Sequence, residues 1–214
     1  STSSTLRLSE LGEFGLLAEL ERRGLVRGQD AEGAVLADGV VVTKHTLVEG
    51  VHFERGSISA HDLGAKAVTV NVSDIAAMAA SPRYALVAMG MPDDVEAAWV
   101  MELYGGMRDA CAEYALSLVG GDTNRADLVV LSVAVVGEVA PGRAVVRSGA
   151  RVGDRIAVTG SLGAAAGGLA LSRLQPGRAA EALSQPWGRA LIEALERPVA
   201  RLGEAQVLAR AGAS

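Results

Sequence analysis

Leu128-Val-Val-Leu-Ser-Val-Ala-Val-Val136 is the stretch that decides the fold. Five of its nine residues are valine and eight are apolar. β-Branched side chains suit a pleated backbone, and an unbroken apolar run fits a strand buried on both faces or at a dimer seam. Upstream, Leu116 to Val119 is a second strand-like run, ended by Gly120-Gly121. Before it, Asp93 to Tyr114 carries Val95, Trp99, Leu103 and Met107 at helical spacing, which predicts a long helix with one apolar face. Arg83 to Met89 predicts a strand stopped by Pro92. The Ala-rich stretch from Ser59 to Ala80 predicts another long helix, with Asn71 as the point where a break would fall.

Nearer the N-terminus, Ala34 to Leu36 and Val40 to Thr43 predict two strands joined by the turn Asp38-Gly39. Gly28 to Gly33 reads as a loop, and Leu11, Phe14, Leu17 and Leu20 predict a short amphipathic helix with Ser9 as its cap. Strands and helices interleaved in this way predict an α/β (α+β) fold, with a mixed sheet covered by helices. We place this domain at residues 1–140.

Composition shifts after Pro141-Gly142. Arg155 to Thr159 predicts a strand, and Gly160-Ser-Leu-Gly-Ala-Ala-Ala-Gly-Gly168 leads into a helix. A glycine-rich strand-to-helix turn can hold a phosphate at the helix N-terminus. This one lacks the P-loop lysine and the dinucleotide fingerprint, and small residues also serve close helix packing. Leu191 to Leu208 is helical with an interruption at Pro198. One strand followed by helices cannot pair a sheet alone, so residues 141–214 read as the start of an incomplete second α/β domain.

The formal charge of −5 and pI near 5.3 argue against nucleic acid or an anionic membrane as partner. Cys111 is the one cysteine, which rules out an intrachain disulfide and suits a reducing compartment. Its helical surroundings predict a buried structural thiol. Ser1 to Glu10 is polar and lacks the apolar segment of a signal peptide. No uncharged apolar stretch is long enough to span a bilayer, so a cytoplasmic location is expected.

Two acidic motifs carry the chemistry, Asn71-Val-Ser-Asp74 and Gly120-Gly-Asp-Thr123. An ionised Asp is a hard oxygen ligand of the kind Mg²⁺ prefers. Adjacent glycines free the backbone to turn N–H groups toward an anion. Two such carboxylates on separate segments point to a Mg–nucleotide site. Taken singly, Asp74 reads equally well as an N-cap and Asp122 as a turn residue.

Taken together, Leu47-Val-Glu-Gly-Val-His-Phe53, Asn71-Val-Ser-Asp-Ile-Ala-Ala-Met78, Leu118-Val-Gly-Gly-Asp-Thr123 and Arg147-Ser-Gly-Ala-Arg-Val-Gly-Asp154 resemble the thiamine-monophosphate kinase family. That family shares a superfamily with aminoimidazole-ribonucleotide synthetase, selenophosphate synthetase and a hydrogenase-maturation dehydratase. The resemblance implies ATP-dependent phosphorylation of thiamine monophosphate to thiamine diphosphate with several Mg²⁺ ions. It also implies a homodimer paired through the N-terminal sheet, with nucleotide near the subunit junction. Asp74 and Asp122 would be catalytic metal ligands. Tyr104, Gly121, Asp122 and Arg147 match nucleotide- or phosphate-contacting positions, and His52 matches a substrate-contacting one. Asp30, Thr43, Lys44 and His45 fall at metal-ligand positions.

The chain departs from the family pattern in three places. The usual Gly-Asp-Asp-Ala-Ala loop reads Gly28-Gln-Asp-Ala-Glu-Gly-Ala34, about two residues longer, with Gln29 in place of the first Asp. The usual Thr-Thr-Asp or Ser-Thr-Asp strand end reads Thr43-Lys-His45. This exchange makes the site more positive, and at an effective dielectric near 20 two unit charges 4 Å apart interact by about 4 kcal/mol. Neutral imidazole is also a poor Mg²⁺ ligand. Finally, the family's Asp-x-Ser-Asp-Gly strand end lies outside these residues. The expectation is therefore an impaired kinase or, alternatively, a non-catalytic dimeric relative with an assembly or regulatory role.

Overall fold

The computed structural model describes residues 8–26 and 31–213, and the chain divides into two compact units, Ser1–Asp30 and Ala31–Ser214. The first unit contributes helix α1 (Leu8–Arg22). Ser9 lies inside this helix and so is not its cap. Gly12, at φ 63°, bends it, because glycine tolerates a backbone shape that breaks helical geometry. Phe14 is 82% exposed, so the expected apolar stripe is not covered within its own unit.

In the second unit the elements run β1 (Ala34–Val35), β2 (Val40–Val48), α2 (Ala60–Ala77), β3 (Ser81–Met91), α3 (Ala97–Glu113), β4 (Ser117–Arg125) and β5 (Val130–Glu138). Four further helices follow: α4 (Ala164–Ser172), α5 (Pro176–Ser184), α6 (Pro186–Glu196) and α7 (Leu202–Arg210). The sheet order is β1-β2-β5-β3-β4. β3 and β4 are parallel across the α3 crossover and the other pairs are antiparallel, so the sheet is mixed. The β1–β2 turn has Asp38 at φ 61° and Gly39 at φ 80°. Two positive φ angles in succession are what an Asp-Gly hairpin supplies.

One face of the sheet carries the core. Leu131, Val133 and Val135 of β5 meet Leu63, Val68, Val72, Ile75 and Met78 of α2, all buried. Ser59 caps α2 by accepting the Asp62 N–H at 3.0 Å. The helix runs unbroken through Asn71, whose buried amide donates to Ala67 O at 3.0 Å. α2 and α3 cross where Gly64 faces Leu103 O and Gly106 faces His61 O. A Cβ added at either glycine would lie 2.0 Å and 1.8 Å from those oxygens. Both helices end with an alanine in the left-handed region, Ala79 at φ 57° and Ala115 at φ 56°. There Ala80 N bonds to Ile75 O and Leu116 N to Cys111 O, closing the last turns.

Of the two readings of β5, burial on both faces or a place at a dimer seam, the single chain does not show the first. Residues of β5 alternate between buried and half-exposed, because helices cover only one side. Tyr84, Leu86, Val130, Ala134 and Val136 lie on the other side, uncovered by any described element.

Beyond residue 140 the structure differs from expectation. Arg155 to Thr159 forms no strand, since no described strand lies beside it to share a ladder, and Ile156 is 97% exposed. α5 was not foreseen. Gly167 and Gly168 seat against Leu191 of α6, where a Cβ on Gly168 would come within 2.2 Å of Leu191 O. That close approach assigns these glycines to helix packing. The segment is fastened to α2: Lys66 Nζ donates to Leu195 O at 2.9 Å, and Gln206 Nε2 donates to Ala79 O at 2.9 Å.

Candidate functional site

Asp74 lies near the C-terminal end of α2, so it is not an N-cap. Its Oδ2 stands 2.7 Å from His45 Nε2 on β2. A carboxylate only accepts, so Nε2 carries the proton. This bond holds the His45 imidazole above its ordinary pKa, against the effect of partial burial, and the Glu32 charge adds to the rise. Glu32 in turn accepts from Arg147 Nε at 3.2 Å and Nη2 at 2.7 Å. That forked contact holds the Glu32 carboxyl below its ordinary pKa. Glu32, His45, Asp74 and Arg147 thus form one cluster of alternating charge.

Glu32 was missed as a site residue. The extra acidic residue in the lengthened Gly28 to Ala34 loop was the signal that pointed to it. Asp30, in the same loop, lies outside the described residues.

Strand alternation separates the other expected ligands. Thr43 and His45 share the helix-covered side of β2. Thr43 is buried and its Oγ1 lies 3.3 Å from both Asn71 O and Asn71 Oδ1. Lys44 pairs with Ala134 and falls on the opposite side. Thr43, Lys44 and His45 therefore cannot act together on one ion from a regular strand.

Asp122 is not in a turn but within β4. Its Oδ1 accepts from Thr123 N at 2.9 Å and its Oδ2 from Asn124 Nδ2 at 2.8 Å. The register runs Asp122–Ala88–Ser132–Thr46 across the sheet, which is the row opposite the α2 side. Three strand spacings, roughly 14 Å, separate β4 from β2. One chain does not bring Asp122 to Asp74. Among the described residues no group of three His, Cys, Asp or Glu side chains is placed to hold a metal.

Gly121 pairs with Val87, and a Cβ there would lie 1.7 Å from Val87 O, so the close strand approach itself requires glycine. Tyr104 lies on α3 in the wall of a cavity of about 680 Å³ with Met101, Arg108, Cys111 and Leu118. Burial pushes the Cys111 thiol up to about 11, which makes it inert. His52 is exposed, not a core residue, and its Nδ1 accepts from Val48 N at 3.0 Å.

A one-sided mixed sheet, with charged side chains gathered at the β2–α2 edge and at β4, defines an α/β domain of the AIR-synthase type. Residues 29–139 match the model of "AIR synthase related protein, N-terminal domain", and the chain belongs to that family. It is 37% identical over 200 residues to the thiamine-monophosphate kinase of Aquifex aeolicus (strain VF5), covering 92% of this chain and 63% of the relative. The crystal structure of thiamine monophosphate kinase from Aquifex aeolicus has a TM-score of 0.84 at 34% identity, over 96% of this chain and 66% of that one. AaThiL complexed with AMPPCP and TMP also has a TM-score of 0.84 at 34% identity, over 97% and 66%. The chain thus spans about two thirds or slightly less of the length of these proteins. Among the described residues no helix is long and apolar enough to cross a membrane.

Proposed function

We propose that this chain acts in the ATP-dependent phosphorylation of thiamine monophosphate to thiamine diphosphate, as a cytoplasmic homodimer. The carrying observation is its likeness, along 97% of its length, to AaThiL complexed with AMPPCP and TMP. Phosphoryl transfer between two anions depends chiefly on positioning and charge neutralisation. Arg147 supplies positive charge at one edge of the sheet, where His45 donates a hydrogen bond to Asp74. Tyr104, Gly121 and Asp122 lie toward the other, with the Tyr104 cavity offering an apolar wall for a nucleotide base. His52, exposed beside the β2 end, is placed to touch the thiamine substrate.

The distance from Asp122 to Asp74 supports a site completed by the partner subunit. The uncovered sheet face, with Tyr84, Leu86 and Val136, would be buried against a second copy. That pairing would bring one subunit's Asp122 to the other's Asp74 cluster. The Mg²⁺ ions implied by the resemblance do not fit the described residues of one chain. Asp74 is engaged by His45 and Glu32 by Arg147, while Thr43 faces Asn71 and Lys44 faces away. No step is therefore assigned to them.

Calorimetric titration with AMPPCP and thiamine monophosphate tests this reading, alongside an ATP transfer assay. Binding of both ligands, with AMPPCP weakened by Asp122→Asn, is expected. The His45–Asp74 contact favours a second reading, a non-catalytic dimer. A stable dimer with no transfer, unrestored by Lys44→Thr with His45→Asp, would establish it.

A further inference from the structure

We infer that His45 is a specificity-determining residue that keeps hard divalent cations off Asp74, so that anionic charge at this edge of the sheet is met by side chains. The inference takes from the proposed function only that Asp74 belongs to the ligand site. His45 Nε2 lies 2.7 Å from Asp74 Oδ2, a charge-assisted length. Mg²⁺ demands near-octahedral oxygen ligation, which imidazole does not supply. An ion on Asp74 would share the carboxylate with that hydrogen bond, which already occupies Oδ2. It would also have to sit beside His45 and within the field of Arg147, which Glu32 already engages through both carboxylate oxygens. Among the described residues no group of three His, Cys, Asp or Glu side chains is placed to hold the ion. Glu32 is engaged by Arg147, and His45 occupies one oxygen of the Asp74 carboxylate.

The experiment is a titration of the full chain with Mn²⁺, a spectroscopic substitute for Mg²⁺, followed by electron paramagnetic resonance of the free ion without nucleotide. The unaltered chain is expected to bind Mn²⁺ at least about ten-fold more weakly than His45→Ala, the scale of one competing hydrogen bond to a charged group. His45→Asp should bind more tightly still, and Asp74→Asn added to His45→Ala should abolish the gain. His45→Asn provides a second reading if the alanine variant does not fold. Equal Mn²⁺ affinity in the unaltered chain and the His45 variants overturns the inference, as does a gain that survives Asp74→Asn. AMPPCP titration of the same samples keeps the two ideas apart. Nucleotide binding with unchanged Mn²⁺ affinity sinks only the role of His45. An Asp74-dependent Mn²⁺ gain without nucleotide binding sinks only the kinase reading.

Discussion

Single residues in this chain are governed by their neighbours more than by their type. Cys111 is buried on α3 and its thiol is pushed up to about 11 from an ordinary 9.0. Dithionitrobenzoate at pH 8 should therefore leave the native thiol unreacted and label it only after denaturant is added; rapid native labelling would contradict the burial. A thiol pKa raised by folding stabilises the folded state fully below about pH 9, and that contribution is lost as pH rises toward 11. A Cys111→Ser variant should show a shallower alkaline decline in denaturation midpoint. Asp74 and Asp122 stood out in the sequence only jointly, as two carboxylates beside small residues on separate segments. Their partners did not: the contact of His45 with Asp74 depends on which side of β2 each residue occupies. The period of two along a strand puts the side chain of Lys44 on the side away from Thr43 and His45.

Much of the sheet and both of its covering helices could be read from apolar runs, alanine content and helical spacing. Asp38-Gly39 and Pro92 marked turn and stop through chemistry that acts locally. What failed was non-local. Arg155 to Thr159 has the composition of a strand but no described neighbour to pair with, and the apolar run of β5 did not tell double burial from a dimer seam because valine suits either environment. Two substitutions test the helix elements. Ala115→Gly relieves a left-handed alanine at the end of α3 and should stabilise the fold by roughly 0.5–1 kcal/mol in urea denaturation. Gly106→Ala forces a methyl against His61 O and should destabilise it by about 1–3 kcal/mol, with the α2–α3 crossing opened. A neutral Gly106→Ala would mean that the helices do not cross so closely.

At the scale of the molecule, the separation of the two conspicuous aspartates matters most. Asp74 stands at the end of α2 beside β2, and Asp122 stands three strands away on the opposite face. In the proposed dimer these positions become complementary, each subunit lending β4 to the other's β2–α2 edge. Sheet residues such as Tyr84 and Leu86 would then pass from solvent into the seam, beside Lys44 and Asp122 of the same face.

The most direct measurement mixes two differently tagged chains, one carrying Asp74→Asn and the other Asp122→Asn, and titrates the purified mixed dimer with AMPPCP. A site shared between subunits leaves one of the two sites intact, so half-stoichiometric binding at the unaltered affinity is predicted. A mixed dimer as defective as either parent would place both carboxylates within one subunit's site and contradict the account.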